Sequence, residues 1–192
     1  MNRFLATLAV LCVAFAAAQA TCPTIITRAQ WGARNANTGA LPHVPAPFVV
    51  VHHTAGAFCS TQAACAQQMR NIQSWHMDGN GWADIGYNFC VGECGLAYEG
   101  RGWRRQGAHA PPYNNQSVGA CVFGTFTSRV PNAAAQLALQ RLINCGVGGG
   151  HIASNYWLIG HRQASATACP GNAFFNLIQT WPRFNPNPSP RM

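Results

Sequence analysis

Phe48-Val49-Val50-Val51-His52-His53 is an apolar run closed by a pair of histidines. A run this short and rich in β-branched valine fits a strand buried on both faces, because successive side chains leave it in opposite directions and neither meets water. The histidines sit where such a strand leaves the core, at a position from which side chains reach a cleft. Tyr156 to Ile159 repeats the pattern, leading into Gly160-His161-Arg162, and Cys169-Pro170-Gly171 begins eight residues beyond His161.

Around these runs the chain alternates between strand and helix signals. Ser60 or Thr61 can cap a helix reaching about Asp78, with Ala64, Cys65, Met69, Ile72, Trp75 and His76 at helical spacing and Gly79 to Gly81 ending it. Ile85 to Val91 and Leu96 to Tyr98 read as a hairpin around Gly92-Glu93-Cys94-Gly95, and Ser117 to Phe126 as a further strand. Pro131 opens a helix through Ile143, stopped by Gly146 and Gly148 to Gly150, and a last helix covers roughly Ala173 to Thr180. Residues 21–47, with prolines at 23, 42, 45 and 47, read as an extended arm, and residues 185–192 as a disordered tail. The fold class is therefore α/β: a single domain over residues 21–184, with a central mixed β-sheet flanked by about three helices.

Residues 1–20 stand apart. Arg3, the apolar stretch Phe4 to Ala18 and the small-x-small Ala18-Gln19-Ala20 make a cleaved secretory signal, which places the mature chain outside the cell. The stretch is too short to span a bilayer comfortably and no second one follows, so stable membrane insertion is not expected. The twelve basic residues are all arginine against four acids, Asp78, Asp84, Glu93 and Glu99, a balance that draws an extracellular protein toward polyanions. The arginines are scattered singly except for Arg104-Arg105, and no nucleic-acid-binding motif appears, which argues against that partner. The chain is expected to act as a monomer. Eight cysteines remain once Cys12 leaves with the signal, an even count that by itself suggests four disulfides.

Imidazole and thiolate are good zinc ligands, and two histidines with one cysteine leave a fourth position open for water. The spacing of His52, His161 and Cys169 is not itself a zinc signature, and a histidine at a strand end is commonly a hydrogen-bonded structural residue.

Seven blocks in order carry more. They are Thr27-Arg28-Ala29-Gln30-Trp31-Gly32-Ala33, Val50-Val51-His52-His53-Thr54-Ala55-Gly56, Gly81-Trp82-Ala83-Asp84-Ile85-Gly86-Tyr87-Asn88-Phe89, Tyr98-Glu99-Gly100-Arg101-Gly102-Trp103, Gly107-Ala108-His109, Gly160-His161-Arg162-Gln163 and Ala168-Cys169-Pro170-Gly171. Together they resemble the peptidoglycan recognition proteins, relatives of the bacteriophage lysozyme-type zinc amidases, over nearly the whole mature chain. The resemblance implies an amidase-like fold with a peptide-binding groove and hydrolysis of the bond between N-acetylmuramic acid and L-alanine in bacterial peptidoglycan. It implies His52, His161 and Cys169 as Zn2+ ligands, with Tyr87 beside the metal. Thr167 stands where the phage enzymes carry lysine and the animal amidases commonly carry threonine. Zinc would lower the pKa of its bound water and polarise the scissile carbonyl, with Tyr87 hydrogen-bonding the water or the developing oxyanion.

The resemblance further implies that His53, Trp82, His109 and Tyr113 line the groove. Arg104 and Arg105 follow Gly102-Trp103, where the family carries residues that discriminate diaminopimelate-type from lysine-type stem peptides; an arginine there could pair with the extra carboxylate. It implies disulfides Cys59–Cys65 and Cys22–Cys145, leaving Cys90, Cys94 and Cys121 unexplained. The other reading is a pattern-recognition or bactericidal protein that binds peptidoglycan without cutting it; the cysteine ligand, typically absent from non-catalytic members, favours the enzyme.

Overall fold

The computed structural model describes residues 22–190, so the expected signal segment lies outside the described residues. Six strands, β1 (Ile25–Ile26), β2 (Ala46–His53), β3 (Phe89–Val91), β4 (Ala97–Glu99), β5 (Ser117–Val122) and β6 (Ile152–Gly160), form one sheet in the order β1-β4-β3-β5-β2-β6. The β3–β4 pair is antiparallel and the other pairs are parallel, which makes the sheet mixed. The helices α1 (Arg28–Trp31), α2 (Gln62–Ser74), α3 (Ala133–Gly148) and α4 (Asn172–Ile178) cover it.

The apolar run lies in β2, which is buried at every position between β5 and β6. Alternation sorts its side chains. Val49 and Val51 enter a core with Leu139 and Leu142 of α3 and Phe174 and Ile178 of α4. Phe48 and Val50 point the other way, against Ala110, Tyr113 and Ile159. On α2, Cys65 and Met69 pack with Trp31, Ile85 and Phe123 in a third cluster.

Several boundaries move from the sequence reading, each for a local reason. The arm is not wholly extended. Thr27 and Gln30 form a capping box around α1, whose Trp31 is fully buried and donates its indole N–H to the Glu99 carbonyl at 2.7 Å. Strand β3 starts at Phe89 rather than Ile85, because the Gly86 N–H goes to the His76 ring and its carbonyl accepts from Ala108. Helix α3 continues past Gly146, a glycine that works here as a spacer. A Cβ there would lie 2.6 Å from the Ile152 side chain and 2.7 Å from Trp103. Helix α2 passes into a π-helical turn at Trp75–Gly79. Nor is the tail free from residue 185. The Asn185 N–H donates to Leu158 on edge strand β6, and the Asn185 and Pro186 carbonyls accept from Gln163. The edge offers unpaired backbone groups, and the tail takes them.

Three disulfides join Cys22 to Cys145, Cys59 to Cys65 and Cys90 to Cys121. The last links partners in register on β3 and β5. Among the described residues Cys94 and Cys169 remain free, so an even count of mature cysteines does not make four bridges.

Candidate functional site

The register of three parallel strands assembles the site. Val51 of β2 pairs with Gly160 of β6. His52 is the next residue of β2 and His161 the first residue beyond β6, opening a 3-10 turn, so they emerge side by side, ring centroids 4.4 Å apart. Ligand sites in open α/β sheets lie at these carboxyl ends of parallel strands. The loop after His161 then turns back. The Arg162 N–H donates to the Cys169 carbonyl at 2.9 Å, and Thr167 Oγ1 accepts the Cys169 N–H at 3.2 Å. Thr167 is exposed and shapes this loop. Cys169 Sγ ends 3.8 Å from His52 Nδ1 and accepts the His53 N–H at 3.3 Å.

One ligand atom from each of His52, His161 and Cys169 lies within 4.8 Å of the other two. Tetrahedral zinc with Zn–N of about 2.0–2.1 Å and Zn–S of about 2.3 Å fits such a set after small side-chain adjustment. The electrostatics suit a cation as well. Burial holds His52 well below its usual range, and burial also lowers His161, so both offer lone pairs. Burial pushes the Cys169 thiol up to about 12, against a smaller opposing pull from the His53 N–H and Arg162. A buried thiol of that kind gives up its proton when a divalent cation replaces it. The cluster contains no carboxylate.

Tyr87 stands beside the cluster, its ring 5.2 Å from that of His52, and burial raises its hydroxyl pKa, so it keeps its proton. A groove of about 420 Å³ opens next to the cluster, lined by Trp82, Ala108, His109, Pro111, Asn114 and His161. Trp82 packs against His76 with ring centroids 4.7 Å apart and planes tilted by 35°, and His76 also lies 5.8 Å from Tyr87.

The remaining expected groove residues divide. His109 lines the groove, yet its ring nitrogens point inward, to His52 and Ser117. His53 is buried on the other face of β2, where its Nδ1 accepts the Phe126 N–H at 3.2 Å. Tyr113 is buried in the core, edge-on to Phe48 at 5.0 Å, because alternation leaves Phe48 facing it. Neither is among the residues that line the groove. Arg104 and Arg105 are exposed, sit on the segment that pairs with residues 38–41 and are not among the groove's lining residues. The Arg105 guanidinium donates to the Thr38 carbonyl at 2.6 Å.

Two residues that carry the site have no separate signal in the sequence. His76 looks like one more bulky residue on a helix face, but its Nδ1 accepts the Gly86 N–H at 3.0 Å and so holds the segment that presents Tyr87. Asn88 is fully buried; its amide donates to the Gly102 and Arg105 carbonyls, and its oxygen accepts the Gly119 N–H.

Residues 42–172 match the family described as N-acetylmuramoyl-L-alanine amidase. The chain is 44% identical over 180 residues to peptidoglycan-recognition protein SC2 of Drosophila simulans, covering 94% of this chain and 96% of that protein. It is 43% identical over 174 residues to the N-acetylmuramoyl-L-alanine amidase of Sus scrofa, covering 88% of this chain and 29% of that longer protein. Its fold superposes with a TM-score of 0.83, at 40% identity and over 84% of this chain and 96% of the other, on peptidoglycan recognition protein-LE in complex with tracheal cytotoxin, a monomeric diaminopimelic acid-type peptidoglycan. With most of its length inside that family and its fold shared with solved members, the chain belongs to the N-acetylmuramoyl-L-alanine amidase family and, within it, to the peptidoglycan recognition proteins.

Proposed function

We propose that this is a secreted zinc amidase of innate defence, which binds bacterial peptidoglycan in the groove beside His161 and hydrolyses the amide between N-acetylmuramic acid and L-alanine. The observation that carries the reading is Cys169. It is free while six other cysteines are bridged, and its sulfur converges with His52 and His161. Bound zinc would supply a Lewis acid for the scissile carbonyl and activate water for attack.

The protein's own residues do the rest. His52, His161 and Cys169 would hold the ion, leaving a position open toward the groove. Tyr87 keeps its phenolic proton and can donate it to the oxyanion that develops on the carbonyl. Trp82, 38% exposed and braced by His76, offers an apolar wall for the substrate. The peptidoglycan fragments bound to solved relatives support the ligand class.

The test is digestion of purified peptidoglycan by the zinc-loaded protein, by the chelated protein and by Cys169→Ser. Release of free stem peptide only by the loaded wild type is expected. Turnover that survives chelation or the substitution would remove the metal reading; tight peptidoglycan binding with no turnover in the zinc-loaded protein would make the chain a receptor.

A further inference from the structure

His52 is fully buried and has two ring nitrogens with different neighbours. Nδ1 faces Cys169 Sγ at 3.8 Å, and Nε2 faces His109 Nδ1 at 3.1 Å. The two rings meet nearly at right angles, at 83°. His109 Nε2 in turn lies 3.5 Å from Ser117 Oγ, and the Ser117 hydroxyl donates to the Tyr113 carbonyl at 2.6 Å.

These contacts have only one consistent set of proton positions once a cation occupies Nδ1 of His52. A neutral His52 then carries its proton on Nε2 and must donate it. His109 can accept only at an unprotonated Nδ1, which puts its own proton on Nε2, toward Ser117. Ser117 Oγ is free to accept there, because its hydrogen is committed to the Tyr113 carbonyl. Every donor meets an acceptor, and a His109 protonated on Nδ1 would set two N–H groups against each other.

The surroundings hold the His109 ring in place. An added Cβ on Gly107 would lie 2.3 Å from His109 Cδ2, and one on Gly119 would lie 2.4 Å from the same atom, so two glycines make the slot. The backbone N–H groups of His109 and Ala110 both donate to Asn114 Oδ1, at 2.9 and 2.8 Å. Ser117 is fully buried, in register with Phe48 of β2, and Gly119 is in register with Val50.

We propose that His109 is a positioning residue for the metal centre: it accepts the Nε2 proton of His52, fixing the tautomer and ring orientation that aim Nδ1 at the zinc. The proposal rests on the metal reading above. Outer partners of this kind, which hold the second nitrogen of a ligating histidine, typically govern metal affinity by 10–100-fold. His109 thus contributes ring surface to the groove and its nitrogens to the ligand behind it.

The test compares zinc dissociation constants, by competition with a chromophoric chelator, for wild type, His109→Leu and His109→Asn. Asparagine can place an amide oxygen near the position of Nδ1; leucine removes the acceptor. Leucine is expected to weaken zinc about 10–100-fold and asparagine to restore most of that loss. Melting of the metal-free forms checks that both variants fold. Independently of any variant, spectra of histidine-¹⁵N-labelled, zinc-loaded wild type should show His52 protonated at Nε2 and His109 protonated at Nε2 alone. A proton on His109 Nδ1, or wild-type affinity in the leucine variant, overturns the proposal. A wild type that takes up no zinc removes the metal site itself, a separate and distinguishable failure.

Discussion

Tyr87 is where chemistry and packing are easiest to separate. Its ring touches both His52 and His76, so the aromatic contacts persist when the hydroxyl is removed. Tyr87→Phe should therefore leave zinc affinity and muropeptide binding within a few-fold of wild type. Loss of one donor to a developing oxyanion, however, should lower turnover by about 10²–10³-fold. Calorimetry with a soluble muropeptide alongside turnover measurement distinguishes the two effects; equal losses in binding and turnover would assign Tyr87 to the ground state. At this scale the candidate ligand set was legible only through the seven ordered blocks, because the spacing of His52, His161 and Cys169 is no zinc signature by itself. The places of His53 and Tyr113 depend on packing that the sequence does not display. A strand's alternation separates His52 from His53, but which face holds the cleft depends on what packs on each side. Phe126, distant in sequence, takes the His53 side, and Tyr113 is buried edge-on against Phe48 on the His52 side.

Among the elements, the connection from β6 to α4 bears most directly on the site, since it carries Cys169. Gly171 sits at a φ of +94°, and a Cβ there would lie 2.3 Å from the Phe126 carbonyl oxygen and 2.8 Å from the Thr127 nitrogen. Neither backbone atom can step aside cheaply. Gly171→Ala should cost about 2–4 kcal/mol, from a disfavoured backbone conformation added to the clash. Gly148→Ala is the matching control: it ends α3 with nothing within 4 Å of the added carbon, so it should be neutral or stabilising by up to about 1 kcal/mol. Urea denaturation of both metal-free variants checks the pair, and similar values for the two would show that the close approach at Gly171 is not a constraint. The long helices could be read from periodicity and the central strands from short apolar runs, whereas β1 was hidden in the arm. Helix α1 could not be read either, because four residues show no period, and their helix depends on a capping box and on the buried Trp31. The Cys90–Cys121 bridge was equally hidden, since it follows from the register of β3 on β5 and not from cysteine spacing.

Over the whole molecule, the histidines make stability depend on pH in a defined direction. Burial lowers His53 and His76 to about 4 and His109 to about 3, and holds His52 well below its usual range. The geometry agrees, because His76 and His53 each accept a backbone N–H at Nδ1, which a protonated ring could not do. In the unfolded chain the same side chains take up protons near pH 6.5. Between about 6.5 and 4 the unfolded state therefore binds more protons than the folded one. The stability these groups contribute is fully present above pH 6.5 and is lost as the pH falls toward 4. Metal-free protein should accordingly lose stability steeply between about pH 6.5 and 4, by more than about 1.4 kcal/mol per pH unit where several histidines act together. Glu93 does not confuse this window, because the Arg129 guanidinium and the Asn132 N–H hold its carboxylate below the usual range. His76→Gln is the sharpest probe, since His76 is buried yet lies outside the ligand set. It should be less stable than wild type at pH 7.5, having lost the Gly86 contact, but its dependence on pH should be shallower by about one proton, ~1.4 kcal/mol per pH unit at most. Urea titrations of both proteins at half-unit steps measure the two slopes. Parallel slopes would mean that His76 takes up its proton over the same pH range in the folded and unfolded chains, which its bond from Gly86 opposes.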